Sequence, residues 1–382
     1  MSRALPDAEI ESDRAGAGKK ARFLKPVAVE EGIFMRNPCA ANFRRRMIAA
    51  QPLFGCVRAR DWCDWRWQMS HSVTDPGRLP AWAGIPAAAR AAAIRAAALY
   101  PVRITPYYLS LARWDDAADP VLMQCLAAPQ ELQAGHIALA DPLGERRSMP
   151  APGLIRRYRN RALLLMTGAC AVRCRHCNRK GLLSGQRPAR LGPALRYLGA
   201  HPEIREVILS GGDPLLCKPE VLERTLAALR RLPGVEALRI GTRLPVVLPM
   251  RVDRALVRLL SRFRPLWVNT HFNHPNELTP ESAAACDALI RAGIPVSNQA
   301  VLLKGVNDSA DVLEALFNGL QRIMVRPYYL FECDAVRGAA HFRVGVRRGR
   351  ALFRELRARL GGLSLPQYVL DEPGAAGKRP LA

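Results

Sequence analysis

With 382 residues, 49% of them hydrophobic, the chain can bury a sizeable core, as one large α/β domain with appendages or as two domains. No stretch reaches the apolar length of a membrane helix, so no membrane partner is expected. The formal net charge is +24, from 57 basic and 33 acidic residues. Only seven of the basic residues are lysine, and the arginines are spread among compensating Asp and Glu rather than gathered in one block. Nucleic-acid binding is therefore a secondary reading.

The chain opens with MSRALPDAEIESDRAGAGKKARFLKP, which has no apolar run of the kind a secretory signal carries. A cytoplasmic location is the expectation. Ten cysteines in that setting read as metal ligands, nucleophiles or buried apolar residues before they read as disulfides. Residues 1–28 read as a mobile tail, and 29–155 as a mainly helical region broken by Pro and Gly. The indoles of DWCDWRWQMS, Trp62, Trp65 and Trp67, read as packing surface. From 156 to 332 a βα rhythm sets in, and 333–382 form a short C-terminal segment. The apolar runs are 162–168, 206–212, 237–243, 266–272, 295–303 and 325–331. Helices are predicted between them near 189–200, 219–231, 253–263, 280–292 and 310–321. Pro219 and Pro280 fit a first helical turn, and Thr279 fits an N-cap. Six βα units in series imply parallel strands with right-handed crossovers, which fits a barrel or barrel segment better than a doubly wound sheet. Function should then gather at the C-terminal strand ends, where the residues are unusually polar: Ser210 to Asp213, Thr242, Arg243, His271, Asn273, His274, Asn276, Asn298, Gln299, Asn307, Asp308, Tyr328 and Tyr329.

After the first run comes TGACAVRCRHCNRKG, with Cys170, Cys174 and Cys177 in C-x3-C-x2-C spacing. Three thiolates can hold three irons of a four-iron cluster and leave the fourth open to a ligand. The alternatives are zinc completed by His176 or a distant Cys, or three free thiols. Zinc patterns usually come as paired units, and no second pair follows. The polarity of RCRHCNRK argues against plain burial.

This loop resembles that of the radical S-adenosylmethionine enzymes, and SGGDP, with Ser210, Gly211, Gly212 and Asp213, resembles their glycine-rich motif that meets the methionine amino group. The stretches DWRWQ, ITPYYLSL, DPLGE, CRHCNRK, LSGGDPL, RIGTRLPVVLP, NTHFNHPNELT, NQAVLLKGVND, RPYYLFECD, GAAHFRV and YVLDEPGAAGK resemble, in colinear order, the lysine 2,3-aminomutase family. The resemblance implies a partial (βα)6 TIM-type barrel preceded by the helical region, with the cofactor lysine in the C-terminal segment. It implies a [4Fe-4S] cluster, S-adenosylmethionine and pyridoxal 5′-phosphate, with Lys378 as the Schiff-base lysine and Arg157, Tyr158 and Arg161 at the phosphate. It implies Arg179 on the substrate carboxylate and Asp308 with Asp371 on a distal ammonium. The implied reaction moves the α-amino group of L-lysine to C3. Arginine as substrate, or supply of β-lysine for elongation factor P modification, are the alternatives within that chemistry. A basic, metal-bound nucleic-acid-binding protein is the alternative of another class. An electron donor of flavodoxin or ferredoxin type is an implied partner, and a homo-oligomer stays open. The sequence departs from the family at GAAGK, where Ala375 and Ala376 replace glycines, at RRYRNR, where Arg156, Arg159 and Asn160 are substituted, and at Asn178.

Overall fold

The computed structural model describes residues 38–79, 87–113, 116, 118–133, 139–182 and 188–382. The expected tail, 1–28, lies outside them. Nine strands lie in one sheet in chain order: β1 (Leu154–Tyr158), β2 (Arg161–Thr167), β3 (Glu206–Gly211), β4 (Ala237–Gly241), β5 (Leu266–Thr270), β6 (Val296–Leu302), β7 (Arg326–Glu332), β8 (Gln367–Leu370) and β9 (Arg379–Pro380). β1 and β2 form an antiparallel hairpin with Tyr158 opposite Arg161, β2 to β8 are parallel, and β9 returns antiparallel to β8. A doubly wound sheet reverses its strand order at a switch point. This order never reverses, so the winding is that of a barrel-type arc.

Helices α1 (Leu191–Gly199), α2 (Pro219–Arg230), α3 (Arg254–Ser261), α4 (Pro280–Arg291), α5 (Ala310–Arg322) and α6 (Val346–Arg359) alternate with the parallel strands. Their ends follow local chemistry. Pro219 and Pro280 each sit in a first turn. Thr279 Oγ1 accepts from Ser282 N at 3.0 Å, Asp253 from Leu256 N at 2.8 Å, and Ser309 from Val312 N at 3.3 Å. In α3 the leucines 256, 259 and 260 are buried against the sheet, while Arg258 falls on the other face. The aligned strand residues Leu164, Leu209, Ile240 and Val268 form one apolar layer at the centre of the core.

Two departures from expectation bear on the site. The six expected βα units are present, β2–α1 to β7–α6, and among the described residues a further parallel strand, β8, follows them in the segment expected only to carry the lysine. The arc has no ladder joining β1 to β8 or β9. Arg157 Nη2 instead donates to Asp371 Oδ1 at 2.8 Å and to Glu372 O at 3.0 Å, and Tyr158 Oη donates to Asp371 Oδ1 at 2.9 Å. Side chains from the first strand thus meet the loop after the eighth.

The described residues before β1 are mainly helical. Their helices include Pro38–Phe54, Trp65–Ser70, Ala87–Leu99 and Pro120–Cys125. They share one hydrophobic core with the sheet. Tyr107 Oη lies 2.6 Å from Thr279 Oγ1, Tyr108 Oη donates to Glu277 at 2.7 Å, and Arg46 pairs with Glu281 at 3.0 Å. Trp62 is fully buried and packs with Trp67. One expectation is overturned here. Cys39 and Cys63 form a disulfide joining the Pro38–Phe54 helix to the turn after Ala59–Trp62. Their 24-residue separation carries no local signal of pairing. No described helix is long and apolar enough to cross a membrane.

Candidate active site

The C-terminal strand ends open onto a cavity of about 380 Å³ lined by residues from the ends of β2 to β8, by β1 and by Lys378. At its floor the loop after β3 is pressed against the loop after β2. Gly212 N donates to Thr167 O at 2.6 Å and Asp213 N to Ala169 O at 2.7 Å. A Cβ on Gly212 would stand 2.1 Å from Ala169 O, and Gly211, at φ +118°, would place one 2.6 Å from Thr167 O. The glycine pair is thus demanded by backbone contact with the cysteine loop itself. Asp213 accepts from Thr242 Oγ1 and Arg243 N, both at 2.8 Å, and burial pushes its carboxyl up to about 6. It ties the second rim loop to the third.

Cys170, Cys174 and Cys177 line one wall of the cavity. Burial, with the neighbouring thiols adding to it, raises Cys170; burial and Cys174 push Cys177 up to about 11. Among the described residues no group of three or more His, Cys, Asp or Glu is gathered to grip a single metal ion. A cuboidal cluster is wider than an ion and needs sulfurs that stand apart on one wall. Three thiols around one short loop fit that group, and a thiolate bound to iron no longer carries the charge that makes neutral burial favourable. Cys174 Sγ also accepts from Arg243 Nη1 at 2.8 Å. His176, between two of the cysteines, lies 3.3 Å from His271, Nε2 to Nε2. Burial and the facing imidazole hold His176 well below the usual range, and burial with Arg243 takes His271 down to about 3, so both rings are neutral.

Lys378 enters the opposite side. Its Nζ lies 3.5 Å from Asp371 Oδ2 and between 5.3 and 5.7 Å from the rings of Tyr158, Tyr329 and Phe331. Burial lowers its pKa, Asp371 opposes that, and Arg161, Arg239 and Arg157 add to the lowering. A recessed amine with a depressed pKa beside three arginines fits an aldehyde cofactor bearing a phosphate. Gly374 takes the left-handed turn at φ +77°, and neither Ala375 nor Ala376 has a positive φ. Arg156 forms an outer pair with Glu203 at 2.7 Å.

Of the expected substrate residues, Arg179 and Asp371 line the cavity and Asp308 does not. Asp308 Oδ1 accepts from Gly305 N at 2.9 Å, closing the turn after β6. Asp334, just past the end of β7, lines the cavity in its place. Burial pushes Asp334 up to about 7 and Asp371 adds to this, while a hydrogen bond with Asn178 and the charge of Arg157 pull it back. Burial also acts to raise Asp371, but Lys378, Arg157 and Tyr158 hold it below the usual carboxylate range. Arg179 donates from Nε and Nη2 to Glu145 at 2.7 and 2.6 Å, and from Nη1 to Ser210 Oγ at 3.2 Å. Sequence reasoning passed over Asp334, Glu145 and the role of Arg243. Asp334 had one usable signal: it stands two residues beyond its strand, whereas Asp308 stands after a turn, beside a helix cap.

Residues 164–316 match the Radical SAM superfamily. The chain is 43% identical over 333 residues to the L-lysine 2,3-aminomutase of Clostridium subterminale, covering 86% of this chain and 80% of that one. It is 42% identical over 340 residues to the L-lysine 2,3-aminomutase of Acetoanaerobium sticklandii, covering 88% and 82%. It is also 36% identical over 325 residues to the glutamate 2,3-aminomutase of Clostridioides difficile, covering 84% and 77%.

Proposed function

Because the chain belongs to the lysine 2,3-aminomutase family of radical S-adenosylmethionine enzymes, we propose that it moves the α-amino group of L-lysine to C3 and releases β-lysine, with a [4Fe-4S] cluster, S-adenosylmethionine and pyridoxal 5′-phosphate. The observation that carries the substrate reading is the pair of carboxylates, Asp334 and Asp371, in the same cavity as Arg179 and Lys378. An α-amino acid needs a cation for its carboxylate, and a second, distal ammonium needs anions. Two carboxylates there favour lysine and repel the side chain of glutamate.

When bound, the cluster and S-adenosylmethionine supply a hydrogen-abstracting radical, and pyridoxal phosphate supplies the π-system that steadies the migrating nitrogen. Cys170, Cys174 and Cys177 are the iron ligands. Ser210, Gly211 and Gly212 leave room for close approach of the methionine moiety to the loop after β3, whose shape Asp213 maintains. Arg157, Tyr158 and Arg161 hold the phosphate. Lys378 Nζ would hold the cofactor at its aldehyde, and as a free amine it would carry a proton. Arg179 takes the α-carboxylate on Nη1 while Glu145 fixes the plane of its fork. Asp334, held by Asn178, and Asp371 take the ε-ammonium. Tyr158, Tyr329 and Phe331 exclude water around Lys378. The reductant is a low-potential donor of flavodoxin or ferredoxin type.

The test is anaerobic. Reconstituted protein with pyridoxal phosphate, S-adenosylmethionine, a strong reductant and L-lysine deuterated at C3 is followed by mass spectrometry, with L-arginine and L-glutamate run in parallel. β-Lysine, with deuterium passing into S-adenosylmethionine, is the expected result. Rearranged glutamate or arginine in its place would overturn the substrate assignment. 5′-Deoxyadenosine without any rearranged product would leave the radical chemistry standing and overturn either the substrate assignment or the role of Lys378.

A further inference from the structure

Arg243 follows β4 and is buried, yet each of its nitrogens has an acceptor. Nε donates to His271 O at 3.1 Å. Nη2 donates to Glu277 Oε1 at 2.7 Å, to Gln124 Oε1 at 2.5 Å and to Tyr108 Oη at 3.2 Å. Nη1 alone turns to the cysteine loop and meets Cys174 Sγ at 2.8 Å. The acceptors on Nη2 are themselves pinned. Glu277 Oε2 accepts from Asn273 N at 2.6 Å and His274 N at 3.0 Å, and Tyr108 Oη donates to Glu277 Oε1. The guanidinium therefore cannot swing away from the sulfur without taking from the buried Glu277 carboxylate its cationic partner. A rigid cation donating to a ligand sulfur stabilises the form of a cluster that carries one more electron, because it favours negative charge on that sulfur.

We propose that Arg243 is a positioning residue that raises the reduction potential of the cluster held by Cys170, Cys174 and Cys177, acting through the Cys174 sulfur. The inference rests on the iron–sulfur reading of those cysteines. The step it eases is the addition of one electron to the cluster from a one-electron reductant; no bond forms or breaks and no proton moves. The polar group behind the guanidinium comes from the N-terminal helices as well as the rim loops, so Tyr108 and Gln124 act on the cluster through Arg243.

The readout is the potential, which a purely structural arginine would leave alone. Anaerobically reconstituted wild type and the paired variant Arg243→Gln/Glu277→Gln, which removes both buried charges together, are titrated with redox dyes. The reduced cluster is followed by electron paramagnetic resonance without substrate. At a fixed solution potential the reduced-to-oxidised ratio is expected to fall about tenfold in the variant, or ~59 mV for one electron. An unchanged ratio in a variant with full iron and sulfide overturns the proposal. Should the variant not take up iron, wild-type protein carrying guanidinium-15N arginine decides. A nitrogen hyperfine coupling to the reduced cluster supports the contact, and its absence overturns it; the forks of Arg175 and Arg179 are already taken by Glu131 and Glu145. Wild type that assembles no iron–sulfur cluster at all would instead overturn the proposed function.

Discussion

The two sides of the cavity are stabilised in different ways. On the cysteine side the polar groups form a closed network. Arg243, Glu277, Gln124, Tyr108 and Asn273 satisfy one another, and the neutral pair His176 and His271 lies beside them. On the lysine side the charges lean on each other across an open seam. Lys378, Arg157 and Tyr158 all converge on Asp371, whose side chain is 11% exposed. Buried, mutually satisfied polar networks are rigid, and removing one member strands the rest. Pairs that a ligand's own charges can replace are poised to exchange. The first side is therefore suited to holding a large inorganic group in one geometry, and the second to admitting and releasing organic ones.

Substitutions can break or sharpen that contrast. The largest effect is expected for Lys378→Ala, which should bring β-lysine formation to background and abolish the covalent pyridoxyl adduct at that position after borohydride reduction. Iron content should stay at the wild-type level, because the cysteine side does not depend on the lysine side for its bonds. Next is Asp334→Asn. Leaving a buried ammonium without one of its anions costs ~2–5 kcal/mol, so kcat/KM for lysine should fall on the order of 10²-fold in steady-state assays. The same variant tests a pH effect. Below about 7 Asp334 holds its proton and offers no charge; above it the carboxylate is ionised. In the wild type the KM for lysine should therefore fall as pH rises towards about 7, by up to about tenfold per unit, and the variant should lose that limb.

Asn178→Ala should have a smaller effect. It deletes one hydrogen bond to a charged group, worth ~1.5 kcal/mol or about tenfold in kcat/KM. Because that bond pulls the Asp334 pKa down, its loss should also move the limb to higher pH. Last comes Asp308→Asn, with a change of less than about twofold in KM, since Asp308 serves a turn outside the cavity. A large effect there, with none at Asp334, would reverse the assignment of the ammonium site.

The core of the fold was legible because its signals are local. Six apolar runs became β2 to β7, and five amphipathic stretches became α1 to α5 with ends shifted by a residue or two. Strand β8 was not legible: four residues, Gln367–Leu370, flanked by proline on one side and Asp-Glu-Pro on the other, carry too short a pattern to read as a strand. In the site, Cys170, Cys174, Cys177 and Lys378 stood out by spacing and scarcity. Asp308 and Asp334 could not be told apart that way, because each is an acid following an apolar run. Only the length of chain between strand end and carboxylate separates them, and that depends on where the strand stops. The disulfide between Cys39 and Cys63 and the network around Arg243 join residues far apart in sequence, so neither leaves a trace in any short window.

The seam between β1 and the loop after β8 has one more consequence. The bonds that stitch the first strand to the end of the arc are donated by Arg157 and Tyr158, the same groups proposed to receive a phosphate. An anion arriving there competes with Asp371 for those two donors, while Lys378 Nζ stands 3.5 Å from the same carboxylate. A phosphate bound at that edge should therefore loosen the hold of Arg157 and Tyr158 on the carboxylate proposed to receive the ammonium, so that filling the one site eases the filling of the other.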